Sequence, residues 1–454
     1  MQFILNFFST LNSLGAVVVM PFIIAIMGVI MGTGVGKAIR AGLTVGVGFI
    51  GLNLVTGLMG TYLAPAVVTM CERFGLHLNV IDVGWPAAAA IAFGTQVGSY
   101  IIPVCLLVNI VMILTGTTQT IDVDIWDYWH FAFTGSLVAI ATNSIAYGLL
   151  AAVFNMVIIM VLGDLTAKDV EDSLGLPGVS LPHGFSTAYA PIAMALNWLL
   201  DKIPGVNKIF FDLEKLQDKI GVFGEPILVG TVIGLIIGVA AGLPYNQVLT
   251  LAINMGACLV LIPKMAALLM EGLIPISDAA SGFIEKHFSG HGQMYIGLDS
   301  AVGVGHPLTL SVALLLVPIS VLLAVALPGN QFMPFADLAV IPWMFVLITP
   351  VVKGNGFRAL VIGVVVLIAA FYIGTDLAPS ITIAAEQAKF DFTAGTQISS
   401  ICDGGNPLTW AIYKLNTISP IVGIAVVGAI AIALAVFNRA RIKKVNAAAA
   451  AEEA

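Results

Sequence analysis

Charge is what this sequence is short of. Asp, Glu, Lys and Arg make up only 9% of its 454 residues, where a soluble domain carries about 25%. So few charges cannot cover a water-soluble fold of this size. With 59% hydrophobic residues and a mean hydropathy of +1.04, the bilayer must be most of the solvent. Cysteine is scarce too: Cys71, Cys105, Cys258 and Cys402 form no CxxC pair, so they read as apolar packing rather than metal or redox groups. No GxxxxGK[ST] loop is present, which excludes an ATP-driven pump by itself. Neither an Arg-rich helix nor a TVGYG filter is found, which argues against a voltage sensor and a potassium channel. No basic run offers a nucleic-acid surface, and the formal net charge of −7 says little once a membrane sets the environment. No polar stretch is long enough to fold as a soluble domain. The opening MQFILNFFSTLNSLGAVVVM has no Lys or Arg, which favours a retained first span over a cleaved signal peptide.

Long apolar runs are what remains. A spanning helix needs about 20 apolar residues, and the pattern predicts spans at 13–31, 41–60, 97–115, 131–162, 186–200, 226–243, 248–263, 307–327, 336–352, 357–375 and 420–437. The run 131–162 is too long for one upright helix and is expected to be tilted or broken. Lys37 and Arg40 follow the first span, and Lys202, Lys208, Lys215 and Lys219 crowd the central loop. Lys264, Lys353 and Arg358 flank later spans, and Arg439, Arg441, Lys443 and Lys444 follow the last. Placing all of these inside puts the N-terminus outside and the C-terminus inside, which requires an odd number of spans; about eleven fits.

An internal repeat follows from the same reading. MPFIIAIMGVIMG at 20–32 resembles EPILVGTVIGLIIG at 225–238, each with a Pro and then a GxxxG pair, Gly28/Gly32 and Gly234/Gly238. A second Gly-bearing span follows each, then an amphipathic stretch, 64–78 with Glu72, Arg73 and His77, or 264–288 with Glu271, Asp278, Glu285 and Lys286. Each ends in a short Gly-rich segment with a carboxylate, IDVGWP at 81–86 and IGLDSAVGVGHP at 296–307. The Lys/Arg flanks send the two opening helices in opposite directions. The expected fold is therefore an all-α polytopic membrane protein with inverted repeats and two re-entrant hairpins, and a solute site between them.

Ionisable groups at bilayer depth are costly and face a cavity or each other. Asp82 with Trp85, and Asp299 with His306, are expected to meet near the middle; each carboxylate either contacts substrate or caps a re-entrant helix. His183, in LPHGFS, lies in a loop shaped by Pro and Gly, with functional and structural readings both open. Glu225, in FGEP, starts a helix, where the dipole alone favours a carboxylate. Asp403 and Asn406 share a second Gly-rich break, CDGGNPLTW. His130 reads as an interfacial histidine beside Trp126 and Trp129, part of an aromatic belt, and Asp122, Asp124 and Asp127 as a solvated loop face. No metal or cofactor is expected. Physics alone leaves a carrier favoured over a passive channel.

These strings resemble the galactitol-specific enzyme IIC family of the bacterial phosphoenolpyruvate-dependent phosphotransferase system. IDVGWP at 81–86, VDIWDYWH at 123–130, IPGVNKI at 203–209, FGEP at 223–226 and GLD at 297–299 carry the resemblance, with LPGNQFMPFADLA at 327–339 and DGGNPLTW at 403–410. It covers nearly the whole chain, 1–454. It implies a permease subunit that carries an alditol inward while a separate enzyme IIB, charged by enzyme IIA, phosphorylates it from a phosphocysteine. Whether this chain then counts as an enzyme is left open. The relation to the ascorbate branch implies V-shaped helix pairs, here 13–60 and 226–263, forming a homodimer scaffold. A substrate core at 80–200 and 290–420 and a cytoplasmic tail at 438–454 complete the layout. The family's pocket maps onto Gly84–Pro86 with Trp85, His130, His183 and Asp299, with Glu225, His306, Asp403 and Asn406 as further candidates. Asp299 or His183 is the candidate base. AAAA at 87–90 and Ser300 depart from the family pattern, which leaves the exact hexitol or pentitol open. The competing reading is an ion-coupled secondary transporter of a polyol or sugar.

Overall fold

The computed structural model describes residues 16–30, 32–75, 78–122, 124–211, 225–288, 294–392 and 395–452. Lys215, Lys219, His77 and Phe223–Gly224 of the FGEP string lie outside these. The described residues are overwhelmingly helical, and among them seven helices are long and apolar enough to cross a membrane: Val35–Val55, Gln96–Leu114, Ile145–Leu174, Tyr245–Ile262, Pro307–Ala326, Gly356–Gln387 and Pro420–Ala447. Shorter apolar helices, among them Met20–Ile30, Trp85–Gly94 and Ile227–Ala241, accompany them. The protein is a multi-pass helical membrane protein.

The first helix pair, Ala16–Ile30 and Val35–Leu58, packs as a hairpin, as does the pair Pro226–Ala241 and Tyr245–Phe288, and the two hairpins pack on each other through their second helices. Small residues allow the close approach. A Cβ on Gly28 would stand 2.8 Å from Ala38 Cβ, and one on Gly234 would stand 2.7 Å from Ala252 Cα. These glycines are used for contacts within one chain. Gly32 instead sits in the turn at φ +86°. The amphipathic stretch at 264–288 is no separate element. It continues the apolar helix before it into one rod of 44 residues, Tyr245–Phe288, about 66 Å long at 1.5 Å per residue. The first half does nearly the same, with a π-helical turn Met59–Leu63 joining Val35–Leu58 to Ala64–Phe74. Burial in that last helix pushes the Cys71 thiol up, so it stays protonated and packs, as expected of a structural cysteine.

One long span breaks, as its length suggested, and another is corrected. The run 131–162 is broken: Tyr128–Thr142 ends at Asn143, which takes the left-handed conformation at φ 49°, and Ile145–Leu174 begins two residues later. Asn tolerates that conformation better than other non-glycine residues. The run 336–352 is no single span but a 3₁₀ turn, Ala336–Val340, followed by the short helices Ile341–Phe345 and Ile348–Val352. Pro342 and Pro350 interrupt the helical hydrogen-bond ladder there.

Six short strands, which the apolar pattern does not announce, tie the halves together. β1 (Val80–Asp82) lies between β5 (Phe332–Met333) and β6 (Gln397–Ser399), and β4 (Tyr295–Gly297) lies between β2 (Thr120–Asp122) and β3 (Val179–Ser180). All pairings are parallel. Each sheet thus takes its central strand from one half of the chain and its flanking strands from the other. A buried carboxylate fastens the second sheet to the long helices. Asp164 accepts from Gln119 N at 3.0 Å, Thr120 Oγ1 at 2.7 Å and Asn438 Nδ2 at 2.6 Å, which satisfies a charge that would otherwise be costly at this depth.

Candidate functional site

Parallel strands leave a sheet in the same direction, so the segments after them emerge together at its carboxyl edge. The chemistry-bearing residues all lie on such exits. Asp124, Asp127 and His130 follow β2, His183 follows β3, and Asp299 follows β4. From the other sheet, Trp85 follows β1, Asp337 follows β5, and Asp403 follows β6.

The exits converge on two histidines. His130 Nδ1 lies 2.6 Å from Asp403 Oδ2, with both side chains 1% exposed. His130 Nε2 lies 3.3 Å from His183 Nε2, which is itself 3.4 Å from Asp299 Oδ1. The protons in this chain can be assigned from one backbone donor. The amide N–H of Ser186 points at His183 Nδ1 at 3.2 Å, so that nitrogen is an acceptor. His183 then carries its proton on Nε2, between His130 Nε2 and Asp299 Oδ1. His130 Nε2 must accept, so its proton sits on Nδ1 and is donated to Asp403. Ser186 Oγ gives its proton to the Trp343 carbonyl at 2.7 Å, consistent with this order. A second partner fixes Asp403: Asn406 Nδ2 donates to its Oδ1 at 3.1 Å and also to the Gly184 carbonyl at 3.0 Å. Gly184 has no alternative, because a Cβ there would stand 2.3 Å from His130 Cβ. The Pro-His-Gly sequence is therefore what lets one histidine rest against the other.

Asp299 accepts from the Ala301 amide at 2.8 Å, and the Trp343 side chain also reaches it. The N–H of Asp299 donates to Asp124 Oδ2 at 3.2 Å. Ion pairs at the site are made with histidine alone, and no described Lys or Arg ion pair involves these groups. The arrangement offers hydrogen-bond acceptors and one N–H donor in a buried setting, which suits a neutral solute with many hydroxyls.

Asp82 takes a different part. It accepts from Gly84 N at 3.0 Å and from Phe335 N and Asp337 N, each at 2.8 Å. Asp337 answers by accepting from Trp85 N at 2.6 Å, Ser400 Oγ at 2.5 Å and Cys402 N at 3.2 Å. The two carboxylates staple the exits of the first sheet, so Asp82 meets the 335–337 segment rather than the Asp299 hairpin. Gly84, at φ +83° with Ala336 Cβ 2.8 Å from where its Cβ would be, makes the tight passage possible.

His130, His183, Asp299, Asp403 and Asn406 are brought together. Trp85 is half-buried and packs edge-on against Trp126, 6.2 Å between ring centres. His306 is half-buried at the start of Pro307–Ala326, one short helix beyond Asp299. Glu225 is exposed at the start of Pro226–Ala241, with no side-chain capping bond, and stands outside the cluster. The belt at Trp126 and Trp129 is corrected: they are 3% and 1% exposed and belong to the core, as does His130. The solvated face at Asp122, Asp124 and Asp127 is corrected too, since Asp122 and Asp127 are 0% and 1% exposed. Aromatic residues alternate with these carboxylates in VDIWDYWH, and that interleaving was the available signal for burial. Asp337 was hidden inside an apolar run, and Ser186 and Trp343 carried no signal.

Comparison with known proteins gives the family. Residues 10–395 match the family model described as the PTS system sugar-specific permease component, EIIC-GAT. The galactitol-specific EIIC component of Escherichia coli K12 is 39% identical over 417 residues, 92% of each chain, and the Escherichia coli O157:H7 protein of the same name matches equally. A further K12 protein, described without a named sugar as a permease IIC component, is 39% identical over 434 residues, 96% of this chain and 99% of its own. The chain belongs to the EIIC-GAT family of sugar-specific permease components of the phosphotransferase system.

Proposed function

We propose that this permease carries galactitol, or a closely similar alditol, inward across the bacterial cytoplasmic membrane and presents it to a separate enzyme IIB, itself charged by enzyme IIA. The observation that carries the reading is the Asp403–His130–His183–Asp299 chain, a run of imidazole N–H donors and carboxylate acceptors with no described Lys or Arg ion pair. A neutral polyol donates and accepts in equal measure and asks for no cation, whereas a sugar acid or sugar phosphate would. In the transfer, the S–P bond of the enzyme IIB phosphocysteine breaks and an O–P bond forms to an alditol hydroxyl. Of the two candidate bases, Asp299 takes the hydroxyl proton, because His183 already carries a proton on Nε2 and its Nδ1 receives the Ser186 amide. The relatives named for galactitol support the choice of sugar.

The two helix hairpins act as a scaffold and homodimer interface, and the strand-bearing segments form the moving core. The exchange of strands between halves supports an inverted repeat, and the Lys/Arg flanks support an outside N-terminus and an inside C-terminus.

Uptake into vesicles containing the purified chain tests the proposal. Galactitol should appear inside as the phosphate ester, and only when phosphorylated enzyme IIB is supplied. Unmodified galactitol concentrated by a proton gradient would make the ion-coupled carrier the correct reading. Asp299→Asn keeps the shape but removes a charge-assisted acceptor worth roughly 1.5–3 kcal/mol, so galactitol affinity should fall about tenfold to a hundredfold. Near-equal affinity would leave Asp299 as a cap alone.

A further inference from the structure

Asp127 has no explanation in the contacts described so far. It ends the 3₁₀ turn Ile125–Asp127 and sits at the N-cap of the helix Tyr128–Thr142, yet makes no side-chain capping bond. It is 1% exposed, and neither carboxylate oxygen has a hydrogen-bond partner. Its Oδ1 stands 3.8 Å from His183 Nε2, too far for a hydrogen bond. A carboxylate accepts only, and a buried one left without donors is strongly disfavoured.

The direction in which it faces is clear. A carboxylate oxygen of Asp127 lies within 4.8 Å of ligand atoms of both Asp124 and Asp299, and one of its two oxygens lies within the same distance of ring nitrogens of His130 and His183. Asp127 therefore borders the volume that the histidine chain and Asp299 border. Its neighbours are already provided for. Asp124 accepts from the amides of Trp126 and Asp299, and Asp299 accepts from that of Ala301. Of these three carboxylates, only Asp127 still needs donors from outside the protein. A metal ion held by Asp127 with the two histidines would need a lone pair on His183 Nε2, where the Ser186 amide places the proton, and one held by the three carboxylates would have to share Asp124 oxygens that already accept from amides. Two neighbouring hydroxyls meet the need instead, one for each oxygen.

We propose that Asp127 is a substrate-binding, specificity-determining carboxylate that accepts hydrogen bonds from two adjacent hydroxyls of the alditol, beside His183 and Asp299. This rests on the alditol reading of the preceding section. The reading assigns the solute class, and this assignment adds the residue that counts its hydroxyls.

Calorimetric titration of the full-length chain in detergent tests it, using galactitol and its monodeoxy analogues with wild type, Asp127→Asn and Asp127→Glu. Galactitol affinity should drop about tenfold to a hundredfold in Asp127→Asn, the loss of a charge-assisted acceptor. At least one deoxy analogue should bind wild type that much more weakly, and bind Asp127→Asn no worse than wild type. That coupling identifies a direct contact. Equal galactitol affinity in wild type and Asp127→Asn overturns the assignment. So does an equal loss for galactitol and every analogue, which marks a merely structural residue. Wild-type affinity that rises with added Na⁺ or Mg²⁺ and loses that response in Asp127→Asn also overturns it, in favour of a cation ligand. Should Asp127→Asn not elute as a folded species, Asp127→Glu decides: it keeps the acceptor but displaces it, so a changed ranking of the deoxy analogues supports the contact and an unchanged ranking refutes it. Wild type that binds no alditol at all defeats the parent reading, and this assignment with it.

Discussion

Replacing Asp403 with Asn should disable the histidine chain by reversing its protons. Asp403 Oδ1 receives Asn406 Nδ2 and Oδ2 receives His130 Nδ1, so both oxygens are acceptors. An amide in the same place has one oxygen and one NH₂. If its oxygen stays with Asn406, its NH₂ faces His130 Nδ1, which must give up its proton and carry it on Nε2. His130 Nε2–H then confronts His183 Nε2–H across 3.3 Å. His183 could yield only by moving its proton to Nδ1, where the Ser186 amide N–H already points. The alternative orientation of the introduced amide sets its NH₂ against that of Asn406. Every arrangement leaves one donor facing another, at a penalty of about 1–3 kcal/mol for a buried unsatisfied group. Galactitol binding by the purified variant should weaken by about tenfold to a hundredfold, while the protein still inserts and elutes as a single species. The wrong-tautomer effect of an Asp-to-Asn change in catalytic triads has the same physical origin. Affinity within twofold of wild type would refute the proton assignment and the role of the chain in binding.

Two further outcomes bear on the scaffold. Asp82→Ala strands the amide donors of Gly84, Phe335 and Asp337 and should lower stability by roughly 3 kcal/mol or more; thermal melting in detergent checks this, and an unchanged melting temperature would deny the staple. Gly234→Leu overpacks the contact with Ala252 and should cost about 1–3 kcal/mol. An undiminished melting temperature with lost cross-linking between copies would instead move that glycine to a dimer interface.

The parts of this fold that were legible share a local cause. A run of about 20 apolar residues needs no partner to be recognised, so the long helices at Gln96–Leu114 and Pro307–Ala326 matched their expected bounds closely. Asp299, His183 and Asp403 stood out because a titratable residue in a Gly-rich break between apolar spans is expensive unless it has a task. What stayed hidden depends on residues distant in sequence. Asp127 and Asp124 look identical in sequence to a hydrated loop, yet Asp127 is buried and Asp124 half-buried, just beyond a strand that pairs with residues 295–297. The run 336–352 has the hydropathy of a span, but its backbone is broken so that Asp337 can reach Trp85 and Ser400.

The strands explain why the site could be guessed without its architecture. A two- or three-residue strand has too few positions to show alternation, and β1, β2 and β5 are buried on both faces, as is usual for parallel strands. Their effect is nevertheless decisive. Non-helical backbone survives in a membrane only where protein satisfies its hydrogen bonds, and β1 and β4, each flanked on both sides, satisfy them at Val80–Asp82 and Tyr295–Gly297. Because each central strand borrows its neighbours from the other half, the segments carrying His183 and Asp299 leave one sheet while that carrying Asp403 leaves the other. The His183–Asp299 contact therefore stays within one sheet while His130–Asp403 joins the two, so a relative shift of the sheets would act on the proton chain at the His130–Asp403 link.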